Sequence, residues 1–325
     1  MAQKSKRFSI AMLLDGQGGG RDLTDDEVDN WTPTDGVLWI DLDLSNKKGK
    51  LWLTRHQALD KNATALLLAG ETRPRSLTVP NGLVVILRGI NMNPGAVPDD
   101  MVAIRISVQE KLIITTRRRK VLSVLDVREA LAKQQGPASA GTFLVALTHL
   151  LSVRIDSAVE NIERMIENID EQMSGGDIDN IRVTLSIVRR QAAAIRRYLA
   201  PQRDALDRVA RSNAGTLSER EVFDLREEGD QLTRHIEDLD LARENALVTQ
   251  EELMNRVALE QNSRMYLLSI VAAIFLPLTF VSGVLGMNVA GLPGTVNPSG
   301  FIYSALLMVS CLFGLIAYFR WRKWL

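Results

Sequence analysis

The run 265-MYLLSIVAAIFLPLTFVSGVLGMNVAGLPGTVNPSGFIYSALLMVSCLFGLIAYF-319 is 55 residues long and contains no Asp, Glu, Lys, Arg or His. It is too long for one helical crossing of a bilayer and divides by composition into three. Residues 265–285 and 301–319 are apolar pieces of 21 and 19 residues, and residues 286–300 between them are rich in Gly, Pro and Asn. A helix needs about 20 residues to cross the hydrocarbon core, so both apolar pieces predict transmembrane helices and the middle piece a short connecting loop. A buried helical hairpin in a water-soluble protein is the plainer alternative, and two uncharged runs of this length argue against it. Arg256 and Arg264 precede the first span, and Arg320, Arg322 and Lys323 follow the second. Positive residues stay on the cytoplasmic side, which puts both ends of the hairpin inside and the loop outside. Tyr266, Tyr318, Trp321 and Trp324 fall near the inner boundary, where amphipathic rings prefer the headgroup region.

Along the first span, spacings of three and four pick out Asn262, Met265, Ser269, Ala272, Leu276, Thr279, Gly283 and Gly286. This face carries mostly small or polar groups, with Phe275, Leu278, Phe280 and Leu285 largely off it. Two readings stand side by side: close helix packing through small residues, or the wall of a water-filled pore. Pro277 removes one helical hydrogen bond and predicts a bend. A single hairpin cannot enclose a channel, so the pore reading requires cyclic copies of the chain, in which every pore-facing residue becomes a ring. Asn288 would then supply a ring of carboxamide oxygens suited to a hydrated cation.

Upstream, residues 218–264 read as the cytoplasmic part of the same long helix. Residues 218–252 hold twelve acidic residues and four arginines, a net charge of −8. Repeated around an axis, such charge would concentrate cations, although charged faces on long helices are usually just solvated. Residues 136–217 read as an antiparallel helical hairpin. One apolar seam is Ile155, Val159, Ile162, Ile166, Ile169 and Met173, and the other is Ile181, Leu185, Val188, Ala192, Ile195 and Leu199. Gly175 and Gly176 make the turn, and Asp177 caps the second helix. Asp156, Glu160, Glu163, Glu167 and Asp170 run beside the first seam, and Arg182, Arg189, Arg196 and Arg203 recur on the second helix. Mutual ion pairing across the hairpin is the expected use of these rows; an acidic wall facing a cation vestibule is the alternative.

Residues 1–135 alternate strand-like and helical pieces: strands at 8–14, 37–42, 83–89, 101–108 and 112–116, helices at 51–68 and 121–133. The fold class is therefore an α+β cytoplasmic domain with one mixed or mostly antiparallel sheet, followed by long helices and the transmembrane hairpin of residues 265–325 with its basic tail. Gly16-Gln17-Gly18-Gly19-Gly20-Arg21 follows a strand but lacks the Gly-Lys-Ser/Thr ending of a phosphate loop, so a flexible loop is expected. The run Arg117-Arg118-Arg119-Lys120 reads as a solvated strand end that could touch anionic lipid or a neighbouring subunit. The balance of 39 basic and 39 acidic residues suggests no nucleic-acid partner. The first ten residues have no apolar run, so no signal peptide is expected. Cys311 is the sole cysteine, which excludes an internal disulfide framework and fits a reducing compartment.

Gly286-Met287-Asn288, at the outer end of the first of two C-terminal spans, resembles the signature of the CorA family of divalent-cation transporters. The likeness covers the whole chain. Within that family the chain is similar to the zinc-transporting ZntB branch, through Ala290-Gly291-Leu292-Pro293-Gly294, residues 87–96, Asp100-Met101-Val102, Thr116-Arg117-Arg118-Arg119 and the ending Arg322-Lys323-Trp324-Leu325. Magnesium transporters of the family usually carry an acidic residue in the outer loop, and this loop has none. The resemblance implies a homopentamer in the bacterial inner membrane with a central pore lined by the first span. It also implies Zn2+ uptake linked to a proton gradient, with Gly286, Met287 and Asn288 as the selectivity filter and no cofactor. A CorA-type magnesium channel is the rival within the class, and a membrane-anchored ion sensor or scaffold is the rival outside it.

Tight zinc sites need clusters of Cys or His. This chain has only His56, His149, His235 and Cys311, so a high-affinity structural site is not expected. His235 with Asp238, three apart on a helix, is a weak metal-site candidate, against the plainer reading of a surface histidine. No nucleophile–base constellation is present in the sequence, and no enzyme activity is assigned.

Overall fold

The computed structural model describes residues 7–56, 58–70, 72–97, 99–173, 177–212, 215–287 and 298–322. Two compact units are present, Met1–Gln250 and Glu251–Leu325.

The first unit is built on a seven-stranded sheet of β1 (Ile10–Leu14), β2 (Gly20–Asp22), β3 (Val37–Asp43), β4 (Arg75–Val79), β5 (Gly82–Gly89), β6 (Val102–Gln109) and β7 (Leu112–Arg117). Its order is β2-β1-β3-β7-β6-β5-β4. All pairs are antiparallel except the central β3–β7 pair, the one formed across a long crossover. Strand alternation assigns the two faces. Leu38, Ile40 and Leu42 of β3 pack with Leu53, Ala63 and Leu67 of helices α2 (Lys47–Arg55) and α3 (Lys61–Leu68). The ring of Trp39 points the other way, 4.8 Å from that of Phe143 on α5 (Ala140–Gln172). Beside Trp39, the fully buried Asp41 accepts hydrogen bonds from Thr115 Oγ1 at 2.9 Å and Arg117 Nε at 3.0 Å. Burial pushes the Asp41 carboxyl upward against the opposing pull of Arg117.

Three sequence expectations need correction here. The expected helix 51–68 is two helices, broken where Asp60 caps α3 by accepting from Asn62 N at 2.8 Å. Helix α1 (Asp25–Asn30) and strands β2 and β4 were not expected, being short, polar or largely unburied. The glycine run is not a flexible loop but the turn of the β1–β2 hairpin, with Gly16 and Gly18 at φ +77° and +99°. There Asp15 Oδ1 accepts from Gln17 N at 2.7 Å and Gly19 N at 2.9 Å, so these donors are already engaged by a carboxylate. Those bonds hold the Asp15 carboxyl below its ordinary value.

After α4 (Leu122–Ala132) come α5 and α6 (Ile178–Arg211), with Asp177 accepting from Asp179 N at 3.0 Å as the expected cap of α6. The seam residues from Ile155 to Ile169 and from Ile181 to Leu199 are all buried. Phe143, Leu144, Leu147 and Leu151 of α5 are also fully buried, which explains why this helix is apolar enough in composition to cross a membrane. Helix α7 (Glu219–Leu285) is 67 residues long, about 100 Å at 1.5 Å per residue. Its first turns are tied to α5 by Glu221, which accepts from Ser139 Oγ at 2.7 Å and from Ser218 N at 2.7 Å. A side chain at Gly141 would collide with that carboxylate.

Candidate functional site

The second unit holds the membrane-type segments. Among the described residues, the most apolar windows of α7 and of α8 (Gly300–Trp321) have no residue buried inside the chain. Helix α7 continues through Pro277 to Leu285 without interruption. Its half-buried residues are Ile270, Ile274, Pro277, Leu278, Val281 and Val284, all on one face. On α8 the shielded positions Ser304, Ala305, Met308, Cys311, Leu312, Leu315, Ile316 and Phe319 likewise share one face.

At 100° per residue, the predicted stripe lies roughly opposite the sheltered face of α7. Asn262, Met265, Ser269, Ala272, Leu276, Thr279 and Gly283 are all exposed, Leu276 at 73% and Met265 at 59%. A Cβ built on Gly283 meets nothing within 4 Å. The small-residue face is therefore not the one that the hairpin uses for its own packing. Ser269 Oγ donates to Met265 O at 2.9 Å and Ser282 Oγ to Thr279 O at 3.0 Å, so each hydroxyl satisfies its proton on its own helix and keeps lone pairs free. At the end of α7, Gly286 N donates to Ser282 O at 2.9 Å and Met287 N to Val284 O at 3.4 Å. Gly286 and Met287 thus close the helix with their side exposed, while Asn288 and the loop residues 290–294 lie outside the described residues, as do Gly175, Gly176 and the ending Lys323-Trp324-Leu325.

In the first unit, the two charged rows do not pair as expected. Arg189 donates to Gln250 at 2.7 Å, Arg196 pairs with Asp240 at 2.5 Å, and Arg203 pairs with its neighbour Asp204 at 2.8 Å. Among the described residues no ion pair joins the acidic row of α5 to the arginines of α6 (the side chain of Asp170 lies outside them). For Arg189, Arg196 and Asp156 the reason is α7, which runs beside both helices and offers Gln250, Asp240 and His235 instead. The acidic row instead meets more acid. Glu163 is pushed above its ordinary value by burial and then by Asp238, Glu167, Glu160 and Asp156. Of the twelve acids in residues 218–252, Glu221 is spent on the Ser139 contact, Glu228 on His149 Nδ1 at 2.8 Å, Asp240 on Arg196, Asp224 on Arg220 at 3.0 Å and Glu252 on Arg256 at 4.0 Å.

His235 is not a surface residue: it is only 4% exposed, with Nε2 3.8 Å from Asp156 Oδ1. Burial lowers its pKa, outweighing the nearby Asp156 and Asp238. No group of three or more His, Cys, Asp or Glu side chains able to hold a metal occurs among the described residues, so His235 and Asp238 have no third ligand there. Sequence reasoning missed the Asp156–His235 and His149–Glu228 contacts. The i, i+7 spacing of His149, Asp156 and Glu163, matched by Glu228, His235 and the neighbouring Asp238, is the signal that would have found them.

The profile of the family described as "CorA-like Mg2+ transporter protein" matches residues 34–323. The chain belongs to the CorA family. Among its relatives is the "Divalent cation transporter CmaX" of Pseudomonas aeruginosa, 36% identical over 313 residues, covering 95% of this chain and 92% of that protein. The "Zinc transport protein ZntB" of Yersinia enterocolitica is 31% identical over 328 residues, covering 100% of this chain and 99% of that one. The solved structure of full-length CmaX superposes with a TM-score of 0.86 at 34% identity, covering 99% of this chain and 100% of its own. The CorA relatives are ion transporters rather than enzymes, and the soluble α/β domain with long helices is the architecture they share with this chain.

Proposed function

We propose that this chain is the subunit of a cyclic homo-oligomer, a pentamer, that carries divalent cations across the bacterial inner membrane. Zinc is its principal cargo, taken up together with protons moving down their gradient. Both ends of the hairpin lie on the cytoplasmic side, where Arg256, Arg264, Arg320 and Arg322 are found. The observation that carries this reading is the exposed face of α7. It is lined mostly by small and polar groups, is turned away from the shielded face of its own hairpin, and is followed in the sequence by Gly286-Met287-Asn288. In a ring of copies that face becomes a continuous wall. Asn262, Ser269, Thr279 and Gly283 leave room for a hydrated ion, and Met265 and Leu276 form apolar constrictions. Asn288 with its Gly-Met neighbours forms the entry filter. No metal cofactor is needed, because an ion in transit must be held by weak oxygen donors and released.

The acid shared by α5 and α7 supports the same reading. Like charges that leave one another unneutralised within the chain raise the local concentration of counter-ions. Zinc rather than magnesium is supported by the outer loop without an acidic residue and by the ZntB relatives. The test is uptake by Asn288→Ala in sealed vesicles: transport falls at least about tenfold while the size of the detergent complex is unchanged. Undiminished flux in that variant would remove Asn288 from the path.

A further inference from the structure

Strand β6 carries an arginine where the sheet is covered. Arg105 sits between Ile104 and Ile106, opposite Ile86 of β5 and Thr116 of β7, and is 1% exposed. Its surroundings place it at the end of α3, where Thr116 Oγ1 donates to Leu67 O at 2.7 Å and the Arg105 Nη2 group donates to Gly70 O. Its other two nitrogens, Nε and Nη1, are buried without a hydrogen-bond partner. No carboxylate among the described residues pairs with it. A buried guanidinium held by a single carbonyl is costly, because it loses hydration and recovers one hydrogen bond and no counter-charge.

The neighbours make the imbalance worse. Arg105 opens on a cavity of 240 Å3 also lined by Arg88, Arg118, Arg119 and Asp100. Asp100 is taken by Arg119, with which it forms an ion pair. Arg88 is held by the carbonyls of Thr72 and Met101 and stacks 4.1 Å over the ring of Tyr198. Arg118 is exposed and has no carboxylate partner among the described residues; a side chain at Gly70 would come 3.6 Å from its Nη2. Burial and then the fields of Arg118 and Arg88 push the pKa of Arg105 down to about 10.

We propose that this cavity is a binding site for a phosphate group, with Arg105 as the buried anchor and Arg118 as the outer clamp. Guanidinium groups are suited to phosphate oxygens by their planar, multiply donating geometry. The volume favours a small oxyanion, being below the roughly 300–1,000 Å3 of pockets that enclose drug-sized ligands. The phosphate is free inorganic phosphate or the phosphate of a mononucleotide. The site is in the first unit and does not depend on which cation is transported.

The test uses the full-length protein in detergent, titrated with inorganic phosphate and with AMP by calorimetry, and melted in phosphate against chloride of equal ionic strength. Phosphate binds saturably, one per chain, and raises Tm by at least about 3 °C beyond chloride. Arg118→Ser, an exposed change that leaves folding intact, weakens phosphate at least about tenfold. Arg105→Met removes the phosphate-specific shift, and this variant is no less stable than the wild type in phosphate-free buffer, because the isolated buried charge is gone. AMP binding more tightly than phosphate assigns the group to a nucleotide, and equal or weaker AMP binding assigns free phosphate. Absence of a phosphate-specific shift, or a shift unaffected by both variants, overturns the proposal. Glu71, next after Gly70 in the chain, lies outside the described residues. Phosphate binding seen only in Glu71→Gln would make Glu71 the native counter-charge and would overturn the proposal as well.

Discussion

The first half of α5 and the membrane segments of α7 and α8 are alike in composition and opposite in circumstance. All three are long and apolar enough to cross a bilayer. On α5 the apolar side chains Phe143, Leu144, Leu147 and Leu151 are 0% exposed because the sheet covers them. On the hairpin, Leu276 is 73%, Phe280 70% and Phe301 82% exposed within the chain. Hydropathy says that a surface must be covered, and not by what. The interruption of the pattern decides: α5 takes up Arg154, Asp156 and Glu160 as soon as it leaves the sheet, whereas residues 265–319 admit no charge at all. The cover of the hairpin must come from outside the chain, from lipid on one side and, in the proposed ring, from copies of itself and the ion path on the other.

The largest effect that would break this contrast is a matched pair of truncations. Phe143→Ala should cost about 3–5 kcal/mol, the usual loss for a fully buried aromatic, and should speed amide exchange throughout β3 and β7 of the full-length protein. Phe280→Ala should leave exchange in those strands within about 0.5 kcal/mol of the wild type. Equal effects at the two positions would mean that Phe280 is part of a core.

A smaller effect sharpens the comparison on its polar side. Burial lowers the pKa of His235 in the folded protein, so the unfolded chain binds that proton first as the pH falls. Its contribution to stability is full above the unfolded value of about 6.5 and is lost as the pH drops towards the folded value. His56, stacked on Trp52 at 4.5 Å and also lowered by burial, acts in the same window. Melting at pH 7.5 and 5.5 should therefore show an acid loss that is reduced, and not abolished, in His235→Gln. Glu163 has the opposite sign: its raised value removes stability as the pH climbs through the carboxylate range. An unchanged acid loss in His235→Gln would return His235 to the solvent.

The sequence was informative where one rule dominates. An uncharged run of the right length marked the apolar end of α7 and the whole of α8, and Val-, Ile- and Leu-rich runs marked β3, β5, β6 and β7. It was silent where the outcome depends on a third element. The arginine row of α6 and the acidic row of α5 have spacings that suit each other, but α7 runs beside both and takes Arg189 through Gln250 and Arg196 through Asp240. His235 looked like a surface residue because its burial depends on α5 lying beside it. Arg105 was legible in retrospect, as a charge in the middle of Val102-Ala103-Ile104-Arg105-Ile106 on a strand with both faces covered, but its lack of a carboxylate partner among the described residues is a property of the assembled sheet. Strand β4 escaped notice because four of its five residues are not buried. The α7 stripe was legible as a pattern, while its orientation away from the hairpin's own packing was not.

The most direct test of the transport account is zinc and magnesium flux into proteoliposomes of the full-length protein, with and without an inward proton gradient. Zinc flux that rises with the gradient, accompanied by little magnesium flux, is the predicted result. Magnesium flux indifferent to pH would contradict the zinc–proton account, and no flux of either ion would contradict the reading of the exposed α7 face as an ion path.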